Sequence, residues 1–468
     1  MLSCGAAACV TMAAPAFTVL DMKYTMRFAA VLAVLSLLDH ASAIAAQRAP
    51  AGEDWVGVWG YVGAPLPPGV TPAAGPPIIQ AAAVPLGPAP NVPPPRVFPP
   101  PLLDNPGQVP VETTAADLTN VTVRQVVRVT EGGHKIRLRL SNEGGSETLV
   151  LGAVHVAEAG ADGTVIAGTD HEVTFDGKAG VSMPASAPVL SDPVDLPTKA
   201  LDKLYISIHV PGTIPARAPR SLFEYVAGEP GDFAAAASLP RVRLERVPVY
   251  VTLVETQPSA PTSVLVTLGD SITEGAASTA NAFRSWPDRL AERLAGHHWA
   301  VVNAGISGNR LLRYGAGPNA LARLDRDVLS VPGVKAIILL EGINDIGRGF
   351  TPAGPTEPVD AAALEAADKQ IILRAHEHGV RVIGATLTPY EGAAYASPAG
   401  EAVREELNTW IRTGGAFDAV IDFAPSVADP ANPRTFARQY NDRDHLHPND
   451  AGYKAMADAV NLSVILGK

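Results

Sequence analysis

Cysteine is almost missing from this chain of 468 residues: only Cys4 and Cys9 occur, both at the extreme amino terminus. A remainder without thiols excludes a disulfide framework and leaves stability to a buried core, which a chain of this length can build. Long apolar runs are missing too. The stretch Phe28 to Leu38 is too short to span a bilayer and no later one does better, so no stable membrane anchor is expected. Basic clusters are absent: 36 Lys and Arg stand against 47 Asp and Glu, a net charge of -11. That balance excludes nucleic acid as a partner, because displacing its counterions takes clustered cations. Aromatic residues make up only 6% of the chain and are few between Val111 and Thr256, which leaves little for stacking on sugar rings. Asp442, Asp444, His445 and His447 crowd together, yet no further Cys or His pattern accompanies them, so no metal and no organic cofactor are expected.

What is present begins with an export signal. Met22-Lys23-Tyr24-Thr25-Met26-Arg27 is a short basic region, Phe28 to Leu38 an apolar core, and Ala41-Ser42-Ala43 a small-residue cleavage pattern. Residues 1–46 are therefore set apart from the fold, with cleavage expected near Ala43 to Ala46 and a periplasmic or extracellular product. Met22 or Met26 lies closer than Met1 to where such a signal should start.

Residues 54–110 hold one aromatic-rich strand, Asp54 to Tyr61, followed by a proline-rich linker or insertion with Pro93-Pro94-Pro95 and Pro99-Pro100-Pro101. Such composition forbids helix and central strand and favours an extended spacer. Over residues 111–256 the period becomes two. Val121 and Val123 alternate with Thr122 and Arg124, Ile136 and Leu138 with Arg137 and Arg139, and Glu131-Gly132-Gly133-His134 between them reads as a hairpin. Further strands are expected at Thr148 to Val156, Glu172 to Phe175, Lys203 to Val210 and Val247 to Glu255, giving an antiparallel β-sandwich.

After a linker at residues 257–262, the region 263–468 alternates strand with helix. Val264 to Leu268, Trp299 to Asn303, Lys335 to Leu340, Val380 to Thr386 and Ala419 to Asp422 read as five buried strands of a doubly wound parallel sheet. Helices are expected at Trp286 to Leu294, Asp360 to His378, Glu401 to Arg412 and Asp450 to Val460. In such folds the carboxyl ends of the strands carry the chemistry.

Those ends hold a consistent set. Gly269-Asp270-Ser271 follows the first strand, a glycine-rich loop with Gly308 the second, Asn344 the third, and Asp444 with His447 stands before the last helix. A serine hydroxyl needs a base to become a nucleophile; His447 would take its proton and Asp444, three residues earlier, would hold the imidazole tautomer. The N–H of Ser271, the N–H of Gly308 and the amide of Asn344 would face the oxyanion. Loop position adds Asp270, Arg313, Tyr314 and Thr388 as possible substrate contacts.

The blocks Gly269-Asp270-Ser271, Gly308, Gly342-Ile343-Asn344-Asp345 and Asp444-His445-Leu446-His447 resemble, in order and spacing, the SGNH hydrolase superfamily, also called GDSL esterases or lipases. The resemblance covers Val264 to about Leu466. It implies a flavodoxin-like α/β/α fold, with Ser271, Gly308, Asn344 and His447 as the name-giving residues. With the β-domain in front, the layout looks like a bacterial branch of exported esterases often associated with plant polysaccharide. The expectation is a cofactor-independent serine esterase removing short acyl groups such as acetyl from a small-molecule or polysaccharide ester. Its rivals are a lipase or lysophospholipase, a sugar O-acyltransferase, and a glycan-binding module with a vestigial hydrolase domain.

Overall fold

The computed structural model describes residues 54–62 and 118–467, apart from residues 144, 146, 162, 215–220, 249, 280, 352 and 353. The export signal and all but the start of the proline-rich stretch lie outside the described residues.

Ten strands of the amino-terminal half form two antiparallel sheets. In chain order they are β1 (Val56–Gly60), β2 (Leu118–Arg128), β3 (Ile136–Ser141), β4 (Val154–Glu158), β5 (His171–Glu172), β6 (Pro188–Leu190), β7 (Lys203–Ile214), β8 (Ser221–Val226), β9 (Arg243–Pro248) and β10 (Val251–Thr256). One sheet runs β1-β10-β3-β6 and the other β9-β8-β2-β7-β4-β5. Their apolar residues, among them Val123, Val127, Leu138, Leu140, Ile206 and Val254, are buried in a shared core.

The expected hairpin does not form. β2 pairs with β7 and β8, whereas β3 pairs with β10 and β6, so Glu131-Gly132-Gly133-His134 carries the chain from one sheet to the other. Tight hairpin turns of the Gly-Gly kind need positive φ, and neither Gly132 nor Gly133 has it. Both are glycine for lack of room: a Cβ would fall 2.4 Å from Thr198 O at Gly132 and 2.3 Å from Gln257 O at Gly133. The stretch Val247 to Glu255 also divides. β9 ends at Pro248, which has no N–H for a ladder, and β10 begins in the opposite sheet. On β2 the polar alternation is not a solvated face. Arg124 is buried and donates to Ser207 Oγ at 2.8 Å and Ala236 O at 2.6 Å.

The carboxyl-terminal half is a parallel sheet of β11 (Ser263–Gly269), β12 (Trp299–Gly305), β13 (Val334–Leu340), β14 (Arg381–Ala385) and β15 (Ala419–Ile421), in the flavodoxin-like order β12-β11-β13-β14-β15. The helices that matter for the site are α1 (Ser271–Glu274), α2 (Trp286–Leu294), α3 (Ile343–Gly349), α4 (Ala361–Glu377), α5 (Pro398–Thr413) and α6 (Asp450–Ala459). Local chemistry explains their starts. Ser285 and Asp288 make a reciprocal capping box at α2, and Asn449 accepts from Ala451 N and Gly452 N at α6. Trp286, Leu290 and Leu294, spaced by four, bury one face of α2.

The two halves are joined by more than residues 257–262; Asp54–Lys468 forms one compact unit. β1 lies between β10 and the α/β half. A Cβ on Gly57 would come 2.7 Å from Val331 Cγ1 and one on Gly60 2.6 Å from Val302 Cγ1, so these glycines let the strand lie flat on its neighbour. Val301 N donates to Thr130 Oγ1 at 2.9 Å, and Arg128 donates to Glu292 Oε1 and to Asp288 O, each at 2.8 Å.

Candidate active site

Gly269 ends β11 where side chains have no space: an added Cβ would sit 2.4 Å from Leu340 O. The chain turns into α1, with Asp270 Oδ1 accepting from Ile272 N at 2.8 Å, and Ser271 stands in the first turn. Ser271 Oγ lies 2.8 Å from His447 Nε2, and His447 Nδ1 lies 2.5 Å from Asp444 Oδ2. Because the carboxylate accepts a hydrogen bond from Nδ1–H, the proton stays on Nδ1 and Nε2 is left bare to accept from the serine hydroxyl. The other oxygen, Asp444 Oδ1, accepts the N–H groups of Leu446 and His447, each at 2.9 Å, which fixes the acid. The loop that achieves this is tightly coiled. Arg443 and His445 have φ of 79° and 61°, and Asn441 Oδ1 holds both of their N–H groups at 2.8 and 3.1 Å.

Electrostatics favour a strong base. Burial works against the charged imidazole of His447, yet the hydrogen bond and charge of Asp444, with the fields of Asp270 and Asp442, outweigh it and hold the pKa above 6.5. Burial likewise opposes ionisation of Asp444, but its bonds to His447 bring the carboxyl below its ordinary value. Asp270 is pushed up to about 7, chiefly by burial. Burial raises Asp442 to about 6.

The donors expected around an oxyanion are also brought together. Gly308 has φ of 75°, a conformation that favours glycine. Asn344, at the start of α3, spends one N–H on Asn309 O at 2.9 Å, while Asp270 Oδ2 is a distant 3.5 Å from the same nitrogen. Tyr395 donates to Asn344 Oδ1 at 3.3 Å, which orients the amide. Among the described residues the backbone N–H groups of Ser271 and Gly308 meet no acceptor.

The remaining predicted contacts separate. Asp270 is 1% exposed and works as the cap of α1, and Thr388 is also 1% exposed, so neither faces solvent. Arg313 and Tyr314 are exposed on the loop after Gly308, with Arg313 Nε 3.8 Å from Glu357. His445 Nδ1 pairs with Asn441 Nδ2 at 3.1 Å, and it is His447 that meets Ser271.

Arg323 and Glu274 carried no local signal for a supporting role in the sequence, and Asp345, though part of the block Gly342-Ile343-Asn344-Asp345, had no role assigned. Arg323, fully buried, donates to Gly269 O at 2.9 Å, Ala304 O at 2.7 Å and Asn309 Oδ1 at 2.9 Å, tying the ends of β11 and β12 to the glycine-rich loop. Asp345 Oδ2 accepts from Leu311 N at 2.6 Å and anchors the far side of that loop. Glu274 receives Tyr61 of the β-rich half on one oxygen and Ser307 N on the other.

A serine, an imidazole and a carboxylate in a continuous hydrogen-bonded line at the edge of a doubly wound sheet is the arrangement of a serine hydrolase. Residues 267–455 match the GDSL-like Lipase/Acylhydrolase family. The α/β half of this chain belongs to the SGNH/GDSL hydrolase superfamily, and the protein is an ester hydrolase of that type. No curated protein matches the chain. Among solved structures it is similar to a protein of the lipolytic G-D-S-L family from Desulfitobacterium hafniense DCB-2, at 22% identity over 44% of this chain and 99% of that one, TM-score 0.34. A GDSL-like lipase from Bacteroides thetaiotaomicron matches at 17% identity over 44% of this chain and 89% of that one, TM-score 0.34. The aryl esterase of M. smegmatis matches at 14% over 42% and 96%, TM-score 0.33.

Proposed function

We propose that this protein is an exported esterase that removes short acyl groups such as acetyl from carbohydrate through an acyl-enzyme on Ser271. The observation that carries the chemistry is the 2.8 Å contact of Ser271 Oγ with His447 Nε2, backed by Asp444. Ser271 Oγ bonds to the ester carbonyl carbon as its proton passes to His447 Nε2. The tetrahedral oxyanion meets Ser271 N–H, Gly308 N–H and the second N–H of Asn344. As the C–O bond breaks, His447 returns the proton to the leaving alcohol, and water then repeats the sequence to free the acid and Ser271.

A polar substrate with a short acyl chain is supported by the surface chemistry. A long chain needs a contiguous apolar floor. Among the described residues the exposed large hydrophobics are Val150, Ile166, Leu190, Tyr314 and Leu373, of which only Tyr314 lies in a loop at the strand ends. Export is supported by the basic, apolar and small-residue pattern of residues 22–43.

The test is a panel of acetylated sugars, long-chain esters and lysophospholipids assayed with wild type and Ser271→Ala. Acetyl esters should be cleaved fastest, and Ser271→Ala should lose on the order of 10⁴-fold or more in kcat. Preference for long chains, or a Ser271→Ala protein that keeps its rate, would overturn the reading. Mass spectrometry of the exported product should find an amino terminus near Ala43 to Ala46.

A further inference from the structure

Arg348 lies on α3 four residues after Asn344, and residues so spaced share one face of a helix. From there its side chain reaches the glycine-rich loop: Arg348 Nη2 is 3.8 Å from where a Cβ would stand on Gly308. The guanidinium therefore stands beside the Gly308 loop, on the helix that carries Asn344 one turn earlier. Its charge reaches Tyr395, whose hydroxyl orients Asn344.

This arginine is exposed, and its guanidinium makes no hydrogen bond or ion pair with any described residue. The acid best placed to neutralise it is already engaged. Glu357 is held by Arg310 at 2.5 Å and faces Arg313 at 3.8 Å, so three arginines share one surface carboxylate. Arg310 in turn leans on buried Asp345, its Nε 3.6 Å away. The rim thus keeps unpaired positive charge on a chain whose net charge is -11. A planar fork of N–H donors with no partner among the described residues matches a carboxylate, which it can hold through two parallel bonds.

We propose that Arg348 is an anion-binding subsite beside the oxyanion donors, and that the natural ester carries a carboxylate near its acyl linkage, as an acylated sugar acid does. The inference rests on the esterase reading above and narrows it. The carboxylate would draw the substrate in and fix which hydroxyl presents its acyl group to Ser271.

The experiment compares two acetyl esters of one shape and different charge: methyl glucuronoside acetate and the matching acetylated glucuronamide. Wild type should prefer the acid in kcat/KM by about tenfold or more at low salt, a gap that shrinks as salt screens the rim. Arg348→Gln should abolish the gap between the two esters, and Arg348→Lys should restore part of it. Equal rates for the two esters in wild type, or a gap that survives Arg348→Gln, would overturn the subsite. A second measurement keeps it separate from the hydrolase reading. Calorimetric titration of Ser271→Ala should show tighter binding of the acid than the amide, and Ser271→Ala with Arg348→Gln should bind both alike. Should wild type cleave neither ester, the acetyl-carbohydrate esterase reading falls, and equal affinities in the titration would overturn the subsite on its own.

Discussion

Tyr61, at the end of the first strand of the β-rich half, donates its phenolic hydrogen to Glu274 Oε1 at 2.6 Å. The other carboxylate oxygen accepts Ser307 N–H at 2.5 Å, one residue before Gly308. Glu274 closes the short helix that Ser271 opens. The β-rich half therefore reaches, through a single carboxylate, both the nucleophile's helix and the loop expected to bind the oxyanion.

Tyr61→Phe should lower kcat on the order of tenfold with KM little changed, since a hydrogen bond to a charged group is lost without touching substrate. Steady-state kinetics beside thermal unfolding checks it. A fall in melting temperature with an intact kcat would make the contact purely structural.

Asn344→Ala should cost kcat about 10²- to 10³-fold, the range for removing one oxyanion donor. Tyr395→Phe should act in the same direction and more weakly, because Tyr395 only orients that amide at 3.3 Å. Single-turnover rates on an acetyl ester would measure both.

The pH profile follows from the raised pKa of His447. The imidazole must be deprotonated to act as base, so kcat/KM should rise with pH through a midpoint above 6.5. Asp444→Asn removes the largest influence raising that pKa and leaves burial, which lowers it. The limb should move to lower pH while the maximal rate falls. A midpoint that does not respond to Asp444→Asn would separate the limb from His447.

Arg323→Met should destabilise the fold by about 3 to 5 kcal/mol, because it removes the cation beside buried Glu341 and takes a donor from Asn309 Oδ1, Ala304 O and Gly269 O. Urea unfolding would read this directly.

The parallel sheet was legible because each of its strands is mostly apolar and closed by glycine or a polar turn, a pattern that depends only on neighbours in sequence. The loops at the strand ends were legible for the same reason, and the structure puts Ser271, Asp444 and His447 of those loops in contact. What stayed hidden depends on distant partners. Gly132-Gly133 has the composition of a turn, and only the backbones of Thr198 and Gln257 show that it is a crossing between sheets. Glu274 looks like an ordinary first-turn acid until Tyr61 arrives, and Arg124 like a solvated strand residue until the segment with Ala236 covers it. Thr388 and Asp270 stand at the strand ends as expected, yet both are buried there.

Strand β1 is among the first parts of the fold to be made, and Val56 faces Thr256 in its ladder. During synthesis that edge stays open until β10 emerges, and closing so long a loop is slow compared with local contacts. Glu274, the partner of Tyr61, is made only after β10. A chain stopped short of β10 would hold a strand without that mate, and because the rim also needs Asp444 and His447, its assembly falls late in the maturation of the protein.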